Sequence, residues 1–118
     1  MDCMVLPQII AAGVYNSNVA ARNKRVSQNR RTTMFEIELP IEAGGFSYID
    51  NLKDPIRTNM LIIAKPDQIR HTRFPFQCLY IHIIVGEGVL RDILMSIPNY
   101  LPVKDPSPFR EIFEQIGH

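Results

Sequence analysis

The sequence predicts a mainly β domain, a sandwich or small barrel, with helices at its C-terminal end. Short apolar runs alternate with polar residues, and turn signals separate them about every 8–14 residues. In the last third the hydrophobic period changes from two residues to three and four. The chain has 118 residues, 46% of them hydrophobic and 21% charged, which suits one ordinary domain with one sizeable core.

The N-terminal stretch Met4–Val14 is apolar, but Pro7 and Gln8 interrupt it and no basic segment precedes it, so a secretion signal is not expected. Residues 16–31 are polar and basic and read as a loop or arm. We therefore divide the chain into an N-terminal segment, residues 1–31, and a folded body, residues 32–118. Arg22, Lys24, Arg25, Arg30 and Arg31 carry the charge of this segment without an acidic residue among them. Five cations attract phosphate in a salt-dependent way. No aromatic residue interleaves them to stack on bases and no helix-turn-helix pattern surrounds them, so a solvated arm is the expectation.

Phe35, Ile37 and Leu39 alternate with Glu36 and Glu38, the signature of a half-buried strand with both glutamates in solvent. Pro40 argues against continuation as a central strand, and Gly44-Gly45 marks a turn. Phe46–Asp50 reads as a second strand, closed by turn-forming residues from Asp50 to Pro55. Met60–Ala64 is a third, stopped at Pro66-Asp67, and Arg70–Phe74 a fourth, ending at Pro75. Leu79–Val85 is apolar apart from His82, as expected of a strand covered on both faces. There Cys78, Tyr80, His82 and Ile84 share one face, and Leu79, Ile81, Ile83 and Val85 the other.

Val89, Leu90, Ile93, Leu94 and Ile97 then mark one side of a short helix that Pro98 stops. Beyond a proline-punctuated connector, Ser107-Pro108 reads as an N-cap followed by a first-turn proline. Phe109, Ile112, Phe113 and Ile116 follow at i, i+3, i+4 and i+7 with polar residues opposite. Such a stripe must be covered by the domain's own barrel, by a second subunit or by a domain outside this chain. A charge at Phe113 separates the first two: a shared interface predicts a folded monomer, an internal helix predicts unfolding.

The two cysteines, Cys3 and Cys78, make no disulfide framework, which favours a reducing compartment. No run of about 18 apolar residues is present to cross a membrane. Together these point to a cytoplasmic protein. No nucleophile–base arrangement, phosphate-cradling glycine loop or Cys-x-x-Cys site is visible.

The run Ile62-Ile63-Ala64-Lys65-Pro66-Asp67-Gln68-Ile69-Arg70-His71-Thr72, followed by Leu79-Tyr80-Ile81-His82, resembles the N-terminal cupin-like domain of transcription regulators of the arabinose-regulator (AraC) type. Phe35–Leu39, Gly44-Gly45, Phe46–Asp50 and the tail Asp92–Asn99 fit the same pattern. The resemblance spans residues 34–116 and contains no catalytic motif. It implies a cupin-like jelly-roll barrel that binds a small effector such as a sugar and dimerises. The regulator's DNA-binding helix-turn-helix pair is expected outside this chain, so DNA is a partner only through it. In this family the segment before the barrel can act as an arm, a role that would fall on residues 1–31.

Cupin enzymes hold a metal with two histidines, a glutamate and a third histidine. Glu36 falls near the glutamate position and His71 near the third histidine, but the first two histidines have no counterpart, and Asp67 replaces the glycine of the corner. No metal and no other cofactor is therefore expected. Tyr48, His71, Tyr80 and His82 are the candidate ligand-binding residues, each combining apolar area with a polar tip. Phe109, Ile112, Phe113 and Ile116 are the candidate dimer interface. Two other readings compete: a cupin enzyme acting on a small sugar-like or hydroxy-acid substrate, and a dimerisation module whose barrel is filled by its own side chains.

Overall fold

Five strands build one antiparallel sheet in a computed structural model that describes residues 6–117. Cys3 and the first residues of the apolar N-terminal stretch lie outside the described residues, as does His118. In the order of the sheet, the five are β1 (Gln8–Asn16), β8 (Gln77–Ile84), β3 (Phe35–Pro40), β6 (Met60–Ala64) and β9 (Tyr100–Pro102). A second antiparallel sheet runs β2 (Arg30–Arg31), β7 (Ile69–Arg73), β4 (Phe46–Ile49) and β5 (Leu52–Pro55). Among the described residues there are three helices, α1 (Ser17–Ala20), α2 (Val89–Ser96) and α3 (Ser107–Ile116). The protein is mainly β.

The alternation of strand side chains divides the core in two. Leu61 and Ile63 of β6, Leu79 and Ile81 of β8 and Leu39 of β3 point to one side of the larger sheet, where Val103 and Phe113 cover them. Met60, Ile62 and Ala64 of β6 and Cys78 of β8 point to the other, where they meet Ile49 of the smaller sheet with Ile56 and Phe76. The smaller sheet thus lies across one face of the larger and α3 across the other. A hydrogen bond from the Tyr100 hydroxyl to the Ser47 carbonyl oxygen (2.9 Å) ties the two sheets together at one edge.

Several sequence expectations change here. Residues 8–16 are not an arm; they form β1, paired with β8 from Gln8↔Ile84 to Asn16↔Gln77. The basic side chains of residues 22–31 are exposed, as a solvated segment requires, but its backbone is docked along β7. The Thr72 amide donates to Ser27 Oγ (2.7 Å), the Phe74 amide to the Arg25 carbonyl (2.8 Å), and Val26 bridges Arg73. The end of this segment is pinned by Thr32, fully buried, whose hydroxyl donates to the Lys65 carbonyl at the β6–β7 turn. Asp67 occupies that turn at φ 68°, the left-handed region that glycine favours.

Pro40 ends a strand flanked on both sides, pairing with Cys78. It sits at the strand's last position, where the missing donor does least harm. The run after Asp50 is turn only for two residues, since Leu52–Pro55 pairs back on β4 as a hairpin. Gly44 and Gly45 both take positive φ, and at Gly45 a side chain would collide with the backbone carbonyls of Arg73 and Pro75.

Ser107 is the first residue of α3 and not its cap; its amide donates to Asp105 Oδ1 (3.0 Å) instead. Phe113 is buried and Phe109 packs beside it against the larger sheet, so the inner half of the predicted stripe is covered within the chain. Ile112 and Ile116 face outward, with Ile112 52% exposed. Phe113 is therefore a core residue, and a charge there predicts unfolding. In α2 no side chain is buried, and Val89 and Ile93 are exposed.

Candidate functional site

Strand β3 runs between β6 and β8, so its inward positions cannot reach water at an edge. Glu36 and Glu38 occupy these positions and are buried, which overturns the expectation that they line a solvated face. Burial without partners would be prohibitive for two carboxylates. Their partner comes from the facing sheet. Arg70, also buried, donates from Nη1 to Glu36 Oε1 (2.9 Å) and from Nη2 to Glu38 Oε1 (2.7 Å). Arg30 of β2 reaches in from the rim and grips Glu36 with both terminal nitrogens, at 2.7 and 2.6 Å, while its side chain stays half exposed.

Burial alone would raise the Glu36 carboxyl pKa. The hydrogen bonds from Arg30 and the charges of Arg70 and Arg30 outweigh it and hold the group below the ordinary range. For Arg70 the order is the same with opposite sign: burial pulls the pKa down, and Glu38 and Glu36 push it up further. The formal charges of the two glutamates and two arginines cancel. Burial pushes the Cys78 thiol far up, aided by the nearby Glu38 charge, so it is an inert core thiol and not a nucleophile.

Beside this ion cluster the two sheets leave a cavity of about 340 Å³. Glu38, Arg70, Tyr80 and His82 border it, Tyr15, Phe74 and Phe76 supply aromatic wall, and Ser27 and Arg30 bring the basic segment to its edge. The Tyr80 and His82 rings lie 5.0 Å apart, and Tyr80 leans across β1 at Gly13, where a methyl group would come within 3.3 Å of its hydroxyl oxygen. The volume suits a ligand of roughly ten heavy atoms.

Of the four predicted ligand residues, the structure brings Tyr80 and His82 together at the cavity. His71 borders it, but its ring stacks on Tyr48 at 4.2 Å between centroids and 10° between planes. Tyr48 does not line the cavity. Its neighbours Ser47 and Ile49 are the buried positions of β4, so Tyr48 lies on the outer side of the smaller sheet, with the Lys53 ammonium 5.5 Å from its ring centre. Sequence reasoning missed Glu38, Arg70 and the aromatic wall. Period-2 spacing carried a usable signal: Arg70 and Thr72 share a face on β7, and a charge there must find its counter-charge inside.

The cupin metal set does not assemble, because the His71 ring is directed to Tyr48 and away from Glu36. Glu36, Glu38 and His82 do offer donor atoms within 4.8 Å of one another. Two guanidinium groups hold three of the four carboxylate oxygens, and only Glu38 Oε2 and the His82 ring are left, too few to hold a cation without displacing an arginine. This is a neutralised charge cluster and not an open donor set.

No family model, curated protein or solved structure matches this chain. Among the described residues, no helix is long and apolar enough to cross a membrane.

Proposed function

We propose that this chain is the effector-sensing and dimerisation domain of an AraC-type transcription regulator, its two sheets forming a cupin-like jelly roll. The reading joins the resemblance over residues 34–116 to one observation: a cavity of about 340 Å³ between the sheets, bordered by Tyr80 and His82. Apolar walls exclude water and a few placed polar groups orient a small ligand. Occupancy carries a signal only if it favours one arrangement of the domain over another. The basic segment is the element placed to respond, since Ser27 and Arg30 both border the cavity. Dimerisation falls to the outward side of α3, where Ile112 and Ile116 remain uncovered. DNA is then bound through a helix-turn-helix part other than the residues described.

A thermal-shift screen of small polar metabolites tests the pocket. A compound at about 100 times its Kd stabilises the fold by roughly 2.7 kcal/mol. Such a compound should act on the wild-type chain and lose most of its effect on Tyr80→Phe and His82→Ala. The reading fails if every stabilising compound acts equally on those variants. Sedimentation tests the second half: the wild-type chain should be a dimer at micromolar concentration, and Ile112→Asp a folded monomer. A wild-type monomer well above that range removes the dimerisation role.

A further inference from the structure

Glu38 is unlike the other charged groups around the cavity. Its side chain is more than nine-tenths buried, and Oε1 takes the hydrogen bond from Arg70. Among the described residues its second oxygen, Oε2, has no hydrogen-bond partner. No side-chain nitrogen or oxygen sealed from solvent lacks one, so Oε2 faces the cavity that Glu38 borders. The two arginines are in the opposite condition. Arg30 spends both terminal nitrogens on Glu36, and Arg70 is stretched between Glu36 and Glu38. At this end, then, the cavity presents an open acceptor, and each arginine beside it is already paired with a carboxylate.

Resting on the effector-pocket reading, we infer that Glu38 is the specificity-determining residue of the cavity, restricting it to uncharged ligands that present a hydroxyl donor. An ionised carboxylate accepts hydrogen bonds and donates none. A ligand hydroxyl placed at Oε2 completes the hydrogen-bonding of Glu38. A ligand carboxylate or phosphate oxygen at the same point meets like charge. A ligand ammonium is accepted by Oε2, but the formal charges of Glu36, Glu38, Arg30 and Arg70 already balance, so it brings an uncompensated charge between the sheets. Rejection of the wrong ligand thus comes from the unpaired charge it would create. His82, with a ring nitrogen within 4.8 Å of the Glu38 carboxylate, is placed to touch the same hydroxyl. Arg70 is the positioning residue: it holds Oε1 and leaves Oε2 turned to the cavity.

The test uses three near-isosteric probes: glycerol, glycerate and 3-amino-1,2-propanediol at neutral pH. Each is titrated into the isotope-labelled chain while the His82 imidazole and the amides of residues 36–39 and 78–82 are followed by NMR. Glycerol should give saturable shifts there, with glycerate and the ammonium probe each weaker by about tenfold or more. In Glu38→Gln, whose amide can donate as well as accept, the glycerol-to-glycerate ratio should fall to within about threefold of one. Glycerate or the ammonium probe binding as tightly as glycerol to the wild-type chain overturns the inference and leaves the pocket reading intact. If none of the three moves these resonances, both fall. Should Glu38→Gln fail to fold, the wild-type comparison decides alone.

Discussion

The two faces of the larger sheet are built from the same strands and could hardly differ more. On β3, Ile37 and Leu39 pack toward α3 while Glu36 and Glu38 enter an ion cluster on the other side. On β8, Leu79 and Ile81 belong to the first face, and Cys78, Tyr80 and His82 to the second. One face is dry and closed. The other is charged and holds a cavity. The same strands thus serve an apolar layer under α3 and a second layer that joins its own apolar core to the ion cluster and the cavity, because neighbouring residues point in opposite directions. Side chains around the cavity can vary without disturbing the layer beneath α3.

The hardest blow to this division is Arg70→Ala. It leaves Glu36 and Glu38 buried with only Arg30 at the rim, and a loss of roughly 3–5 kcal/mol is expected in chemical denaturation. Arg70→Met combined with Glu36→Gln and Glu38→Gln should recover most of it, since the three buried charges then leave together and only Arg30 stays at the solvated rim. If Arg70→Ala proves as stable as the wild type, the cluster is more solvated than its burial implies.

On the dry face, Leu61→Ala should cost about 3 kcal/mol through lost burial and the void left behind. It should leave ligand binding at saturating concentration unchanged, because Leu61 borders no part of the cavity. A shift in ligand affinity beyond the stability effect would mean that the two faces are coupled.

The gentlest probe is acid. The folded-state pKa of Glu36 lies below its ordinary value of 4.5, so the folded state holds its proton less readily than the unfolded chain. Its contribution is therefore complete above the unfolded value and disappears as pH falls through the folded one. Stability should decline from about pH 4.5 downward, and Glu36→Gln should flatten that decline. An unchanged acid limb in this variant would assign the loss to other carboxylates.

The sequence was legible strand by strand according to position in the sheets. All five predicted strands, β3, β4, β6, β7 and β8, have a neighbour on each side. Those missed, β1, β2, β5 and β9, are the four edges. An edge strand needs neither a long apolar run nor strict alternation, and it tolerates the prolines and polar residues that blurred residues 52–55 and 100–102. The two C-terminal helices followed from their period; what Phe113 packs against could not, because a stripe does not name its partner. The site was half legible. Tyr80 and His82 stood out as polar tips in an apolar run, whereas Glu36 and Glu38 read as solvated charge and Arg70 carried no signal of its own until the facing sheet brought them together.

The buried cluster also disciplines how β3 inserts between its neighbours. A slip of one residue would turn Glu36 and Glu38 toward Leu79, Ile81 and Phe113, and press Phe35, Ile37 and Leu39 against the Arg70 guanidinium. Both halves of that error are costly at once: unpaired carboxylates in a hydrocarbon layer and an orphaned cation opposite. A purely apolar β3 would carry no such penalty, since either face would accept either set of side chains. The ion cluster therefore works as a proofreading device for strand alignment, rejecting misthreaded sheets before the cavity has any ligand to recognise.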